Sequence, residues 1–309
     1  MSENNSNSPK FLQENIPILY TVSPPKNAEM IPNYLETLKP TFLNKNIHAF
    51  SSPELNNRTE ENNKVIYQPT TIPPEDFLAE FPKTFDLVST FVVPKIPKGN
   101  FLQRLEYMRI RGINTTILVG PEKQSDIKEL GGYTVQEGLE IAANNNFTCG
   151  GITIPWRKVP VSSSSSAKPI PEHERIALKQ KSGCKFVTSQ LVFEFESPCQ
   201  LIYDYANYCR ENKLDPLTIF FSFCVVPSEK TLDFLYKLDV KIPPGQRFRL
   251  LKASSIEQES IELACDIWGS IKDSQRSNAK NVKIGLQIEQ IKIDRAVKSV
   301  ELLDRLLEV

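Results

Sequence analysis

The sequence is poor in the residues on which several large enzyme classes depend. It has only 12 glycines in 309 residues, and it contains neither GxGxxG nor GxxxxGK[ST]. A Rossmann dinucleotide fingerprint and a Walker phosphate loop are therefore both excluded. The only histidines are His48 and His173, too few for a histidine-rich metal centre and a poor basis for a Ser-His-Asp hydrolase. We expect no metal site.

Cysteine spacing and charge balance exclude further classes. Six cysteines occur without a CxxC pair, most of them in apolar runs such as FSFCVVP. This pattern is typical of buried reduced thiols, not of a disulfide framework or a structural zinc site. Lys+Arg and Asp+Glu both number 37, so the chain lacks the excess positive charge that nucleic acid or a membrane surface would attract.

No segment of the sequence has the composition of a membrane anchor or a leader. The longest apolar stretch, LTIFFSFCVVP, is too short to span a bilayer. The opening MSENNSNSPK has neither the apolar core of a signal peptide nor Arg-rich amphipathic periodicity. We therefore predict a cytoplasmic protein with no membrane partner and no nucleic-acid partner.

Eight short β-branched runs alternate with helical patterns along the chain. Several of them, such as TTILV and LTIFFSF, are almost continuously apolar, as are parallel strands covered on both faces. Eight strand-helix units in one domain of roughly 250 residues plus insertions predict a (β/α)8 TIM barrel; an open doubly wound sheet is the alternative. The predicted strands are 16–22, 46–50, 86–93, 114–119, 150–154, 186–193, 217–223 and 282–288.

The remaining segments set the boundaries of this barrel. Residues 1–14 are rich in Asn and Ser, so we predict a disordered tail there and a barrel over 15–309. The run 64–68 is ambiguous between a strand and part of an insertion. The Ser-rich run Ser162–Ser166 follows the fifth strand and is either a mobile lid or a solvated insertion.

Two helix starts carry clear signals. Thr134 with Glu137 predicts a capping box that opens a helix over 135–145. Ser197, followed by Pro198 and Gln200, predicts a second helix with Ser197 as its cap.

A polar side chain near the end of the sixth strand is the strongest candidate for ligand recognition. Gln190 lies in an otherwise apolar run, where burying an amide without partners is costly. An amide donates and accepts hydrogen bonds, which suits a heterocycle with mixed donors and acceptors. The alternative is a core glutamine bonded to neighbouring strands. Upstream, Glu172 and Lys179 are two helical turns apart and share one face.

These residues resemble a known family. The segment SGCKFVTSQLVFE is similar to the signature of the methylenetetrahydrofolate reductase family, with Gln190 on the family's glutamine and Glu194 on its aspartate. Lys179 and Glu172 fall on a lysine and an acid that contact flavin in that family. The segments YTVSPPK, GGITIP, Gly132–Tyr133 and VKIPPG resemble other parts of it in the same order. The resemblance runs over about residues 16 to 309.

The resemblance implies a flavoprotein oxidoreductase of folate one-carbon metabolism. It implies FAD at the mouth of a TIM barrel, NAD(P)H as electron donor and a folate as the small-molecule substrate, with the flavin supplying the redox chemistry. Gln190 would hold the pterin edge. The residues that it assigns to the cofactor are Gly120, Gly132, Tyr133, Glu172 and Lys179. A homo-oligomer is left open.

The chain also departs from the family's pattern. The general-acid glutamate of the first strand falls on Thr21, and a hydroxyl cannot replace a carboxyl in that role. The catalytic residue is therefore unknown, with Glu172, His173 and Glu289 as candidate proton donors. After the fourth strand an Arg-Gly-Asp becomes Val-Gly-Pro, and Glu122 is the nearest replacement for the missing aspartate.

Three interpretations follow from this mixture of matches and departures. The first is a flavin-dependent reductase of this family. The second is a non-catalytic folate- or nucleotide-binding barrel that has lost the general acid and much of the flavin site. The third is an enzyme with another substrate on the same scaffold.

Overall fold

Eight parallel strands close into a barrel. The computed structural model describes residues 9–61, 64–121, 126–157 and 170–309. The barrel strands are β1 (Ile18–Val22), β2 (Ala49–Pro53), β5 (Asp86–Val92), β6 (Thr115–Val119), β7 (Thr148–Thr153), β8 (Cys184–Leu191), β9 (Thr218–Phe223) and β10 (Ile284–Gln290), and the two remaining strands are β3 (Asn56–Glu61) and β4 (Lys64–Pro69). Every barrel strand pairs in parallel with both neighbours, and β10 pairs with β1. The (β/α)8 TIM barrel is therefore confirmed, and the doubly wound sheet was the wrong alternative.

Helices follow the strands and cover the outside of the barrel. They are α1 (Ile31–Thr37), α2 (Lys39–Leu43), α3 (Pro74–Leu78), α4 (Phe101–Ile110), α5 (Asp126–Leu130), α6 (Val135–Asn144), α7 (Glu172–Lys181), α8 (Glu196–Asn212), α9 (Glu229–Lys237), α10 (Pro244–Lys252), α11 (Ile256–Asn278) and α12 (Ala296–Glu308). In the part of the chain that the structure describes, no helix combines the length and apolar character needed to cross a membrane.

The two predicted helix starts have different outcomes. The capping box before α6 is confirmed: the Thr134 amide donates to Glu137 Oε2 at 2.7 Å, and the Glu137 amide donates to Thr134 Oγ1 at 3.3 Å. At α8 the predicted cap is wrong, because the helix begins at Glu196 and the Ser197 amide donates to the Glu194 carboxylate at 2.9 Å. A carboxylate accepts more strongly than a hydroxyl, so Glu194 takes the capping role.

The ambiguous run 64–68 belongs to an inserted hairpin. Strands β3 and β4 pair antiparallel and stand apart from the barrel sheet, between β2 and α3. Arg58 of β3 binds the buried Asp126 of α5 with two nitrogens, at 2.7 and 2.9 Å. Because βα connections lie at the C-terminal end of a barrel, this pair joins two of the segments that surround the mouth.

The barrel interior is filled at its N-terminal end by apolar side chains. Phe11 lies in a short 3-10 helix, Lys10–Gln13, and is fully buried. Its ring lies 5.5 Å from that of Phe186 and 5.9 Å from that of Phe220, and its amide donates to Asp86. The expectation of disorder through residue 14 is therefore wrong for residues 9–14, since the buried Phe11 ring and the hydrogen bond from its amide to Asp86 attach this segment to the barrel. Residues 1–8 lie outside the described part.

Candidate functional site

The C-terminal half of the barrel interior carries a layer of linked polar side chains. Gln287 Nε2 donates to Thr21 Oγ1 at 2.8 Å, and Thr21 Oγ1 shares a hydrogen bond of 2.5 Å with Ser51 Oγ. Ser222 Oγ donates to Gln287 Oε1 at 3.1 Å. The layer thus spans β2, β1, β10 and β9. Gln287 satisfies hydroxyls on both sides, which is what buried polar groups require.

The alternation of strand residues explains why this layer faces inward. Leu19, Ala49 and Phe220 belong to the apolar cluster that fills the barrel. Residues two positions further along a strand point to the same side. Thr21, Ser51 and Ser222 therefore face the interior, one layer nearer the mouth.

Glu289 lies one layer further toward the mouth than Gln287. It pairs in register with Thr21 of β1, in the same ladder in which Gln287 pairs with Leu19. The side chain is half-buried, and it forms no ion pair with a cation of the described residues. Burial raises the pKa of Glu289 to about 7, although a hydrogen bond with Ser222 acts in the opposite direction. Near neutral pH this carboxyl is present in both its neutral and its ionised form.

Gln190 lies at the C-terminal end of β8, where the strand is irregular. The register between β8 and β9 shifts between Thr188 and Leu191. Gln190 is half-buried, and its Oε1 accepts the amide of Leu191 at 3.0 Å. Its Nε2 makes no hydrogen bond to a described residue. The glutamine thus bonds within its own strand, and its role in ligand binding stays a prediction.

Glu172 and Lys179 hold α7 against the end of β7. Glu172 is buried, and its Oε1 accepts the Thr153 hydroxyl at 3.0 Å and the Ile154 amide at 3.1 Å. Lys179 Nζ donates to the Ile152 carbonyl oxygen at 2.8 Å. Burial lowers the pKa of Lys179, and the nearby Glu172 opposes this shift. No hydrogen bond of the described residues joins either side chain to Gln190.

The other three residues assigned to a cofactor lie around the start of α6. The Gly132 amide donates to the Pro94 carbonyl at 3.1 Å, and a Cβ at Gly132 would collide with that oxygen. The Tyr133 ring packs edge-on against Phe101 at 5.6 Å between centroids. A Cβ at Gly120 would lie 3.7 Å from Val135 Cγ2, an ordinary van der Waals contact. Their contact with a flavin stays a prediction. Glu122 and Ser162–Ser166 lie outside the described residues.

Of the three candidate proton donors, Glu289 is the one inside the barrel. Glu172 is committed to β7, as described above. His173 lies between the outer helices, with its ring 5.7 Å from that of Tyr208 and its Nδ1 4.0 Å from a carboxylate oxygen of Asp204. Sequence reasoning could name the three but could not rank them, because the ranking depends on which side of the strands each one occupies.

Glu194, the acid after the strand-eight segment, has a structural role. It is buried, and Lys241 Nζ lies 3.0 Å from its Oε1. Burial acts to raise its pKa, but hydrogen bonds with Glu196, Ser197 and Lys241 outweigh this and lower the pKa to about 2. The carboxylate therefore stays ionised and anchors the start of α8.

Together these features define a (β/α)8 barrel whose C-terminal mouth is polar and carries a titratable carboxyl. A similar solved structure is that of an uncharacterized protein from Clostridium thermocellum that binds two copies of 5-methyl-5,6,7,8-tetrahydrofolic acid, with a TM-score of 0.72, 20% identity, and coverage of 94% of this chain and 96% of that chain. A mutant tryptophan synthase α-subunit from Pyrococcus furiosus has a TM-score of 0.50 and 10% identity, with coverage of 94% and 98%. At these identities the likeness shows the fold alone. No protein-family model and no curated protein matches the sequence.

Proposed function

We propose that the C-terminal mouth of the barrel binds a reduced folate. The observation that carries the proposal is a pair of polar groups at the ends of two strands. The Gln190 amide nitrogen on β8 makes no hydrogen bond to a described residue, and the Glu289 carboxyl on β10 makes no ion pair with one. These strands flank β9, so their axes are about 10 Å apart. Two side chains at that spacing can reach opposite edges of a bicyclic heterocycle.

The chemistry of the two groups suits a pterin. Its edges alternate hydrogen-bond donors and acceptors, and an amide can serve both kinds. A carboxyl adds a donor when neutral and an acceptor when ionised. The folate-binding protein from Clostridium thermocellum supports this ligand class, since its fold matches nearly the whole of this chain.

The residues that the resemblance assigns to a flavin are engaged in contacts within the protein. This favours folate binding without a flavin. Lys179 donates to a main-chain carbonyl, and Glu172 accepts from β7 and pairs with Arg157 at 3.2 Å. Neither side chain is free to compensate a flavin phosphate or reduced ring without breaking these bonds. A side chain at Gly132 would collide with the main chain at Pro94, so packing of the backbone alone explains this glycine. We therefore derive no step through a flavin and propose a folate-binding barrel.

Flavin-dependent reduction with NAD(P)H is the second candidate. The observation that favours it is Glu289, because reductive opening of a folate methylene bridge needs a carboxyl that can give a proton near neutral pH. In that case the acid would stand on β10 and not on β1, where Thr21 now lies.

Calorimetry and a visible spectrum test these two candidates together. We expect the wild type to bind 5-methyltetrahydrofolate. Gln190→Ala should weaken binding by more than about 1 kcal/mol, because the ligand loses its hydrogen bond with the side-chain amide. Gln103→Ala, the same change at an exposed position of α4, should leave the affinity unchanged. A colourless protein that binds the ligand supports the proposal, and a flavin band near about 450 nm would favour the reductase. No binding by the wild type would overturn both.

A further inference from the structure

Three apolar side chains on neighbouring strands face the inside of the barrel near its C-terminal end. Val92 ends β5, Val119 ends β6, and Ile152 lies near the end of β7. Val119 and Ile152 pack against the apolar cluster that fills the barrel. Val92 pairs in register with Val119 and lies four residues beyond Val88, a member of that cluster, so it points to the same side. We call these three side chains the apolar wall.

The apolar wall is more exposed than the residues beside it in the same strands. All three of its side chains are partly exposed, whereas Phe91 and Leu118, which point outward beneath the helices, are buried. An inward side chain of a closed barrel can be exposed only at an open end, and Phe11 fills the other end. The apolar wall therefore borders free space at the C-terminal mouth, where ligands bind in barrels of this kind.

Polar side chains lie on the opposite side of the same mouth. In the order in which the eight strands close, β10 stands four places from β6, and β1 stands four places from β7. Glu289 of β10 therefore lies across the barrel from Val119. Thr21 of β1 lies across from Ile152. An eight-stranded barrel can hold one small ligand inside, so a ligand here meets polar groups at one edge and apolar groups at the other.

A reduced pterin has the same division between its two edges. Its pyrimidine ring carries nitrogens, an amino group and a carbonyl, all of which exchange hydrogen bonds. The other edge carries saturated carbons and, in 5-methyltetrahydrofolate, the methyl group on N5. Polar groups are costly to bury without partners, and a methyl group gains by leaving water. The two sides of the mouth therefore favour one orientation, with the pyrimidine edge toward β1 and β10.

We propose that the apolar wall receives the N5-methyl group and makes the mouth selective for 5-methyltetrahydrofolate over tetrahydrofolate. This selectivity rests on the proposed folate function for the class of ligand. Tetrahydrofolate would direct an N5–H donor at side chains that have no acceptor, and the methylated form replaces that donor by an apolar group. Val119 is the central residue of the wall, between Val92 and Ile152, and is the specificity-determining residue. Binding alone is involved, and no covalent bond breaks or forms.

Calorimetry with 5-methyltetrahydrofolate and tetrahydrofolate, both in oxygen-free buffer, measures this selectivity. We expect the wild type to bind the methylated form at least about fourfold more tightly, as the burial of one methyl group predicts. Val119→Thr keeps the branched shape but replaces a methyl group of the wall by a hydroxyl, which can accept the N5–H. Its two affinities should become about equal. Val297→Thr, the same change at an exposed position of α12, should keep the wild-type ratio.

The outcomes separate this selectivity from the proposed function. A wild type that binds both folates equally, or a Val119→Thr variant that keeps the wild-type ratio, overturns the role of the apolar wall and leaves folate binding intact. A wild type that binds neither folate overturns the proposed function and this selectivity with it. The wild-type ratio is measured without any substitution, so it decides the matter even if Val119→Thr does not fold.

Discussion

Glu289 of β10 and Thr21 of β1 lie side by side in the same ladder of the closed barrel. The resemblance places a carboxyl on the first strand, where this chain has Thr21, whereas the structure has a carboxyl one strand away at the same level. Because β1 and β10 are neighbours only when the barrel closes, two residues 268 positions apart in sequence (289 − 21) share one site. The mouth therefore carries a carboxyl on β10 although the corresponding position of β1 is a threonine.

The raised pKa of Glu289 makes the stability of the protein depend on pH. Its pKa in the folded state is about 7, above the ordinary 4.5, so its stabilising contribution is complete below about 4.5 and is lost as the pH rises through about 7. Each pKa unit corresponds to about 1.4 kcal/mol. We expect Glu289→Gln to gain stability relative to the wild type, by up to about 3 kcal/mol, between about pH 4 and about pH 8.

Urea unfolding at the two pH values measures this difference. Glu211→Gln is the control, since its exposed carboxyl should have the same effect at both. A free-energy gap between Glu289→Gln and the wild type that stays constant with pH would contradict the environment assigned to Glu289.

The barrel could be predicted from the sequence because its signals are local. Continuous apolar runs, such as 217–223, and the capping box at Thr134 report strands and helix starts without knowledge of the tertiary fold. The order of eight such units then leaves few topologies.

The site could not be predicted to the same degree, because it depends on which face of a strand or helix each side chain occupies. Lys179 and Gln190 are close in sequence, yet the first bonds to the back of β7 and the second lies at the end of β8. Glu289 can be named from the sequence as one of three candidate proton donors, but its position inside the barrel follows only from the closed sheet. Phe11 was missed because one aromatic residue in a polar segment does not reveal that it fills the end of a barrel.

The inserted hairpin should depend on the pair between Arg58 and Asp126. Asp126 is buried, and Arg58 binds both of its oxygens while Tyr67 donates to one of them at 3.0 Å. Asp126→Asn removes the charge and one acceptor, leaving the guanidinium poorly matched. We expect faster amide hydrogen exchange in β3 and β4, with little change in the barrel strands, measured by mass spectrometry.

A second carboxylate on the same arginine supplies the control. Glu60 also pairs with Arg58, at 2.8 Å, but more than half of its side chain is exposed. Exposed ion pairs contribute about 0–1 kcal/mol, so Glu60→Gln should change exchange in the hairpin only slightly. Equal effects of the two substitutions would show that the buried pair does not hold the hairpin.

Gly132 should tolerate no side chain. A Cβ there would collide with the carbonyl oxygens of Pro94 and Ile96, which are part of the backbone and cannot rotate away. We expect Gly132→Ala to lower the free energy of unfolding by about 2 kcal/mol or more, measured by urea denaturation. Gly245→Ala is the matched control: Gly245 lies in α10 with open space around its Cβ, so that change should be neutral or stabilising by up to about 1 kcal/mol. A stable Gly132→Ala protein would contradict the close approach.

Phe11 should be essential to the closed N-terminal end of the barrel. It is fully buried against the rings of Phe186 and Phe220, which are themselves fully buried inside the barrel. Phe11→Ala leaves a cavity that a closed sheet cannot collapse to fill, so we expect a loss of about 3–5 kcal/mol of unfolding free energy. Phe248→Ala removes a phenyl ring that is 64% exposed and should change stability by less than about 0.5 kcal/mol. Thermal and urea denaturation measure both variants. If Phe11→Ala were as stable as the wild type, the segment 10–13 would contribute nothing to the core, and Phe11 would not fill the N-terminal end of the barrel.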